Sequence, residues 1–191
     1  PENRLLWRMN RSRLDFEAMR DSLLAISGEL DASAGGKPSD IGGNRRSVYT
    51  KIDREFVPGM ARIFDFACPD LHIPQRSATT VPQQALFFMN SGFVTSRSAA
   101  LAARSGSASA ADDAGRIERM YEFVFQRKPT ESQLRAGLAF VQNTDVSDES
   151  TPPDSVAHSS GKKAKVVPAR PDPWTEYAHV LLMSNEFLFV D

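Results

Sequence analysis

Residues 76–92, RSATTVPQQALFFMNSG, decide the fold class. The segment reads as one helix with both ends specified. Thr80 can accept from the exposed N–H groups of a first turn, and Gln83, three residues on, can answer it, the reciprocal arrangement of a capping box. Pro82 falls in that turn, where its missing N–H breaks no helical bond. Asn90-Ser91-Gly92 then supplies a stop, with Gly92 free to take positive φ. A second signature of the same kind, Pro129-Thr130-Glu131-Ser132-Gln133, opens a helix with Leu134, Leu138 and Val141 inward. Two such starts make a mainly α fold the expectation.

Helical spacing recurs on both sides of that stretch. Phe16, Met19, Leu23, Ile26 and Leu30 form a narrow apolar stripe, with Asp15 and Glu17 in the first turn, where the helix dipole favours negative charge. Leu5, Leu6 and Met9 give residues 3–9 one apolar side. Pro58 opens a helix-like turn carrying Met60, Ile63 and Phe64. An alanine-rich helix is expected over 94–103, ending in a polar linker at 105–115. Ile117, Met120, Tyr121, Val124 and Phe125 mark another, and Trp174, Tyr177, Val180 and Leu181 a last one. Residues 47–52, SVYTKI, alternate apolar and polar with β-branched members, so one short strand or hairpin is expected near 46–53. The predicted architecture is an irregular bundle of about six to seven helices.

A length of 191 residues suits one domain, or one domain plus a long tail, and 41% hydrophobic against 25% charged residues suits a packed core. The 23 lysines and arginines nearly balance 24 acids, so no global field draws the chain to nucleic acid or anionic lipid. No apolar run approaches the ~18 residues of a membrane span. The opening PENRLLWRMNRSR has no apolar core of a signal peptide. Residues 143–173 lack aromatics and are crowded with Pro, Ser, Asp and Lys, a composition expected to be disordered. The predicted organisation is therefore a helical domain over 1–142, an insert over 143–173, and a C-terminal helix, 174–191, docking back on the domain.

Chemistry is sparsely written. Cys68 is the one cysteine, so no internal disulfide forms, and a buried small hydrophobe is a simpler reading than a nucleophile. Asp65, Cys68, Asp70 and His72 place four potential metal ligands close together, but turn and cap roles explain them more cheaply, and no metal site is assigned. His158 falls in the insert, and His179 sits among apolar neighbours of a helix. There is no G-x-S-x-G and no phosphate loop. Arg45, Arg46, Arg54, Arg62 and Arg76 form the densest cationic section, suited to bidentate recognition of a carboxylated or sulfated ligand. The simpler alternative pairs them with Asp53, Glu55, Asp65 and Asp70. No catalytic residue is nominated.

The segments PENRLLWRMNRSRLDFEAMRDSLLAISGEL, RRSVY, TTVPQQALFFMN, RKPTESQL and LLMSNEFLFVD follow one another in order. Together they resemble the planctomycete domain-of-unknown-function 1553 family. That resemblance implies the C-terminal portion of a large exported multidomain protein, often behind a cytochrome-c-like haem segment and sometimes beside carbohydrate-binding modules. It brings no established reaction. The family pattern would single out Arg45, Arg46, Asp65, Arg76, Thr79, Thr80, Pro82, Gln84, Asn90, Asn185 and Glu186, of which Arg45, Arg46, Asp65, Arg76, Gln84 and Asn90 are the candidate binding residues. No cofactor is expected in this chain, which has no C-x-x-C-H, and haem is expected elsewhere in a longer parent. The family domain usually begins earlier, so this chain looks like a fragment or the product of a shortened reading frame, and if helices of the missing half cover Phe16, Met19 and Leu23 in the family, that face is expected to lie open. The implied role is a non-catalytic helical scaffold outside the cytoplasm, its partners being neighbouring domains and a polysaccharide. The alternative is part of an enzyme, or of an anionic-glycan site, completed by an N-terminal half.

Overall fold

The computed structural model describes residues 5, 7, 9–107, 112–145 and 172–190. Among them the fold is mainly α: eight helices and one two-stranded antiparallel sheet. Helix α1 (Phe16–Ser27) follows Asp15 and ends at Gly28, whose left-handed φ of 80° lets its N–H turn back to Ala25 O. Phe16, Met19 and Leu23 are at most 1% exposed, so the face expected to lie open is covered within the chain itself.

Two short elements precede the helix read first from the sequence: a single 3-10 turn at Ser47–Tyr49 and helix α2 (Gly59–Ile63). The expected strand over 47–52 is thus replaced by a turn and one isolated bridge, Ser39 to Thr50. A lone strand has no partner here to complete its ladder. Helix α3 (Pro82–Asn90) begins one residue later than predicted. Because Pro82 takes the first helical position, Val81 becomes the cap, and Gln84 rather than Gln83 reaches back, accepting from Val81 N–H at a long 3.5 Å. Nor does Gly92 stop the chain in positive φ. Ser91 alone separates α3 from α4 (Gly92–Ser107), and its hydroxyl accepts from Phe93 N–H to start the new helix.

Helix α5 (Asp113–Phe125) is capped by Asp112, and α6 (Glu131–Asp145) carries the predicted capping box in full. Gln133 Oε1 accepts from Thr130 N–H at 2.9 Å, and Thr130 Oγ1 accepts from Gln133 N–H at 3.4 Å. Residues 143–145 therefore belong to a helix rather than to the insert, while 146–171, where disorder was expected, lie outside the described residues. Helix α7 (Pro173–Leu182) is capped by Asp172, and α8 (Asn185–Leu188) by Ser184. Strand β2 (Phe189–Val190) then pairs with β1 (Ser12–Arg13), joining the two ends of the described chain.

Helix α4 is the central rod, packed most extensively against α7 and also against α1, α5 and α3. Its inward side carries Ser98, Ala102 and Ser105 beside Val94 and Leu101, and small side chains let neighbouring helices approach closely. Tyr177, Ala178, Leu181 and Leu182 of α7 enter the same core, whereas Val180, expected on that face, is half exposed. Phe64, Phe87 and Phe88 add an edge-to-face aromatic cluster where α2 meets α3. Two further expectations fail. Leu5, Trp7 and Met9 are exposed and not helical, and Cys68 is exposed, because the proline-punctuated connector around it runs over the surface.

Candidate functional site

Half of the candidate residues read from the sequence are arginines, so their partners decide the site. Arg20 projects from α1 among apolar neighbours and is wholly buried. Its guanidinium donates to the carbonyls of Ile41, Gly43 and Arg45 and to Ser47 Oγ, with Asp21 Oδ1 at 3.2 Å. Burial lowers its pKa, opposed by Asp21, and a guanidinium remains charged even so. One buried cation thus organises the whole 41–47 loop. Asp21 completes the joint by accepting from the N–H and hydroxyl of Ser47.

The candidate residues are engaged in the same manner. Arg45 lies over the ring of Tyr49 and donates to the carbonyls of Ser33, Gly35 and Lys37. Arg76 makes a bidentate pair with Glu17 at 2.7 and 2.8 Å and lies over Phe66. The Arg76 hydrogen bonds hold the Glu17 carboxyl below its ordinary range although burial pushes the other way. Asp65, at a left-handed φ of 58°, accepts from Arg13, from Thr79 N–H and from the Thr79 hydroxyl. Burial alone would raise its carboxyl pKa, but Thr79 and Arg13 bring it down. Gln84 is buried and donates to Ile63 O and Thr79 O, tying α3 to α2. Asn90 donates to Leu86 O within its own helix. The arginines do pair with carboxylates, but with Glu17, Asp21 and Asp31 rather than with the acids nearest in sequence.

Two of the six candidates share a concavity. Arg46 and Arg76 line an open groove of about 920 Å³ along α1, together with Asp15, Glu17 and Asp21. Three carboxylates against two guanidiniums leave that groove slightly acidic, a poor attractor of sulfated or carboxylated ligands. Among the described residues, no group of three or more His, Cys, Asp or Glu could hold a metal ion.

Four further arginines escaped the sequence reading. Arg97, nearly buried, bridges α4 to Glu29 and Asn44. Arg104 donates to Ala25 O and Ile26 O at the end of α1. Arg116 reaches Ala102 O at the end of α4 and lies 4.0 Å over Trp174. Arg127 forms a bidentate pair with Glu186, fastening α8 to the turn after α5. A usable signal existed for Arg20 alone: it stands one helical turn after Phe16, inside the apolar stripe.

These features define a mainly helical domain whose conspicuous polar side chains join segments of its own chain. It belongs to the family described as proteins of unknown function, DUF1553 (PSD1), whose pattern matches residues 1–141. Helices α7 and α8, which complete the core, and strand β2, which completes the sheet, lie beyond the matched stretch. Comparison with curated proteins and with solved structures finds no match.

Proposed function

We propose that this chain is a non-catalytic helical module that docks neighbouring domains within a larger exported protein. The observation that carries the reading is the fate of the polar residues. Arg20, Arg45, Arg76, Arg97, Arg104, Arg116 and Arg127 each bind carbonyls or carboxylates of remote parts of the same chain. Side chains spent on internal joints are poorly placed to turn over a substrate. The planctomycete origin, the location outside the cytoplasm, a haem-bearing neighbour and a polysaccharide partner come from the family resemblance and belong to the same proposal.

The test is a deletion in the longer parent. Removal of this module should leave the specific turnover of the remaining, folded protein unchanged while weakening association between its flanking domains. Loss of turnover in a deletion that still folds would contradict the passive role. It would favour the alternative, in which Asp65, Arg76 and their neighbours complete an active or anionic-glycan site with residues from another segment.

A further inference from the structure

The outer side of α1 carries two concavities: the groove of about 920 Å³ and a cleft of about 800 Å³ beside β1. Asp15, Ala18 and Arg76 border both of them. The Arg76 side chain, crossing to the Glu17 carboxylate, therefore stands as a partition within one longer hollow.

The segment that delivers Arg76 is fixed at its roots and almost nowhere between. At one end Phe66 N–H donates to Ala61 O, and at the other Thr79 is gripped by Asp65 and Gln84. Residues 70–80 are all exposed, and Leu71, at 66%, buries little of its side chain. Among the described residues, the one backbone–backbone bond of 67–78 runs from Leu71 N–H to Cys68 O, inside the segment itself. Arg76 is the one side chain of that segment hydrogen-bonded to another element. Few buried apolar contacts and an unbonded main chain mark the part of a structure that opens first. Pro69 and Pro74 fix their own φ and stiffen the stretch, so it moves as a piece rather than fraying. What holds it down is an ion pair whose side chains are 36% and 33% exposed, and such pairs hold weakly.

We propose that residues 67–78 form a strap latched across α1 by Arg76 and Glu17, which swings clear when that pair parts and joins the two concavities into one trough. Phe66, on which the Arg76 guanidinium rests, is the seat of the latch, and Phe66 and Thr79 are its hinges. The strap governs access to α1 whether or not the module docks other domains.

The test uses the full chain with Cys68→Ser, Ala25→Cys and Ile73→Cys, spin-labelled at the two new cysteines. Pulsed electron spin resonance should give one narrow distance between α1 and the latched strap. Adding Glu17→Gln should bring in a longer distance, raising the open population about three- to tenfold. Trypsin cleavage after Arg76 in the unlabelled chain should accelerate by a similar factor, because the protease needs the guanidinium that Glu17 holds. Cleavage after Arg97 and Arg104 of α4 should not change. An unaltered distance distribution or an unaltered rate at Arg76 would overturn the proposal, since the strap would then be held by other means. Acceleration at Arg97 and Arg104 as well would also overturn it, because the pair would then support the whole fold.

Discussion

The helices α4 to α7 and the irregular stretch from residue 28 to 81 solve the same problem by different means. In the first, rods bury Val94, Leu101, Ile117, Met120, Tyr177 and Leu182, and the hydrophobic effect holds them. In the second, only Ala61 and Phe64 are buried apolar side chains. That stretch is secured instead by guanidiniums reaching into it from α1 and α4: Arg20 to the 41–47 loop, and Arg97 to Glu29 and Asn44. An irregular segment exposes carbonyls that no ladder satisfies, and a planar cation with five donors can collect several of them at once. The lesson is that a chain can be ordered where it has little core of its own, provided a neighbouring helix lends it donors.

Breaking the largest of these joints should have the largest effect. Arg20→Met keeps the length of the side chain but strands three carbonyls and Asp21, and should lower stability by about 3–5 kcal/mol in denaturant titration. Amide exchange should rise first over residues 41–47, with α4 and α7 retaining protection. Equal loss everywhere would mean that the loop is part of one cooperative core. The helical region has a different weak point, Gly137 of α6, against which Tyr177 packs. A Cβ there would overlap the Tyr177 hydroxyl and lie 2.9 Å from its Cζ. Gly137→Ala should therefore cost about 1–3 kcal/mol by overpacking, despite its better helix propensity. Gly92→Ala, with nothing near the added carbon, should be close to neutral.

The two helix starts sharpen the comparison further. Thr130→Ala removes an acceptor that the structure uses and should cost about 1 kcal/mol. Thr80→Ala, one residue before the cap of its helix, should change stability by no more than a few tenths of that value. A small, pH-dependent effect is expected at the half-exposed Glu17–Arg76 joint. Its carboxyl has a folded pKa below the ordinary 4.5, so its contribution is complete above about that pH and is lost as pH falls through the folded value. Glu17→Gln should flatten the acid limb of the stability profile by lowering stability at neutral pH while leaving it nearly unchanged in acid. An equal effect at every pH would contradict an ionic joint.

The same contrast explains how much was legible in the sequence. Periodicity alone marked α1, α5, α6 and α7, because apolar spacing directly encodes which side of a rod is buried. The box at Thr130 was legible for the same local reason. At Thr80 the composition was identical in kind, yet Pro82 moved the helix start by one residue and transferred the role to Gln84. The strand expected at 47–52 failed because alternation says nothing about whether a partner strand exists, and here Arg20 claims the adjoining loop. Pairings such as Arg76 with Glu17 join residues separated by 59 positions, a distance over which no local pattern speaks. The candidate binding residues were conspicuous for their chemistry, but their partners could be found only in three dimensions.

The most direct measurement of the central claim is the melting temperature of Asp65→Asn. Asparagine tolerates the same left-handed backbone, so the change removes charge and one acceptor while sparing the φ of 58°. If Asp65 is a joint between Arg13 and Thr79, stability should fall by about 1–2 kcal/mol, a drop of roughly 2–8 °C for a domain of this size. An unchanged or higher melting temperature would show a carboxylate held at a cost to stability, as functional sites hold theirs, and would contradict the account.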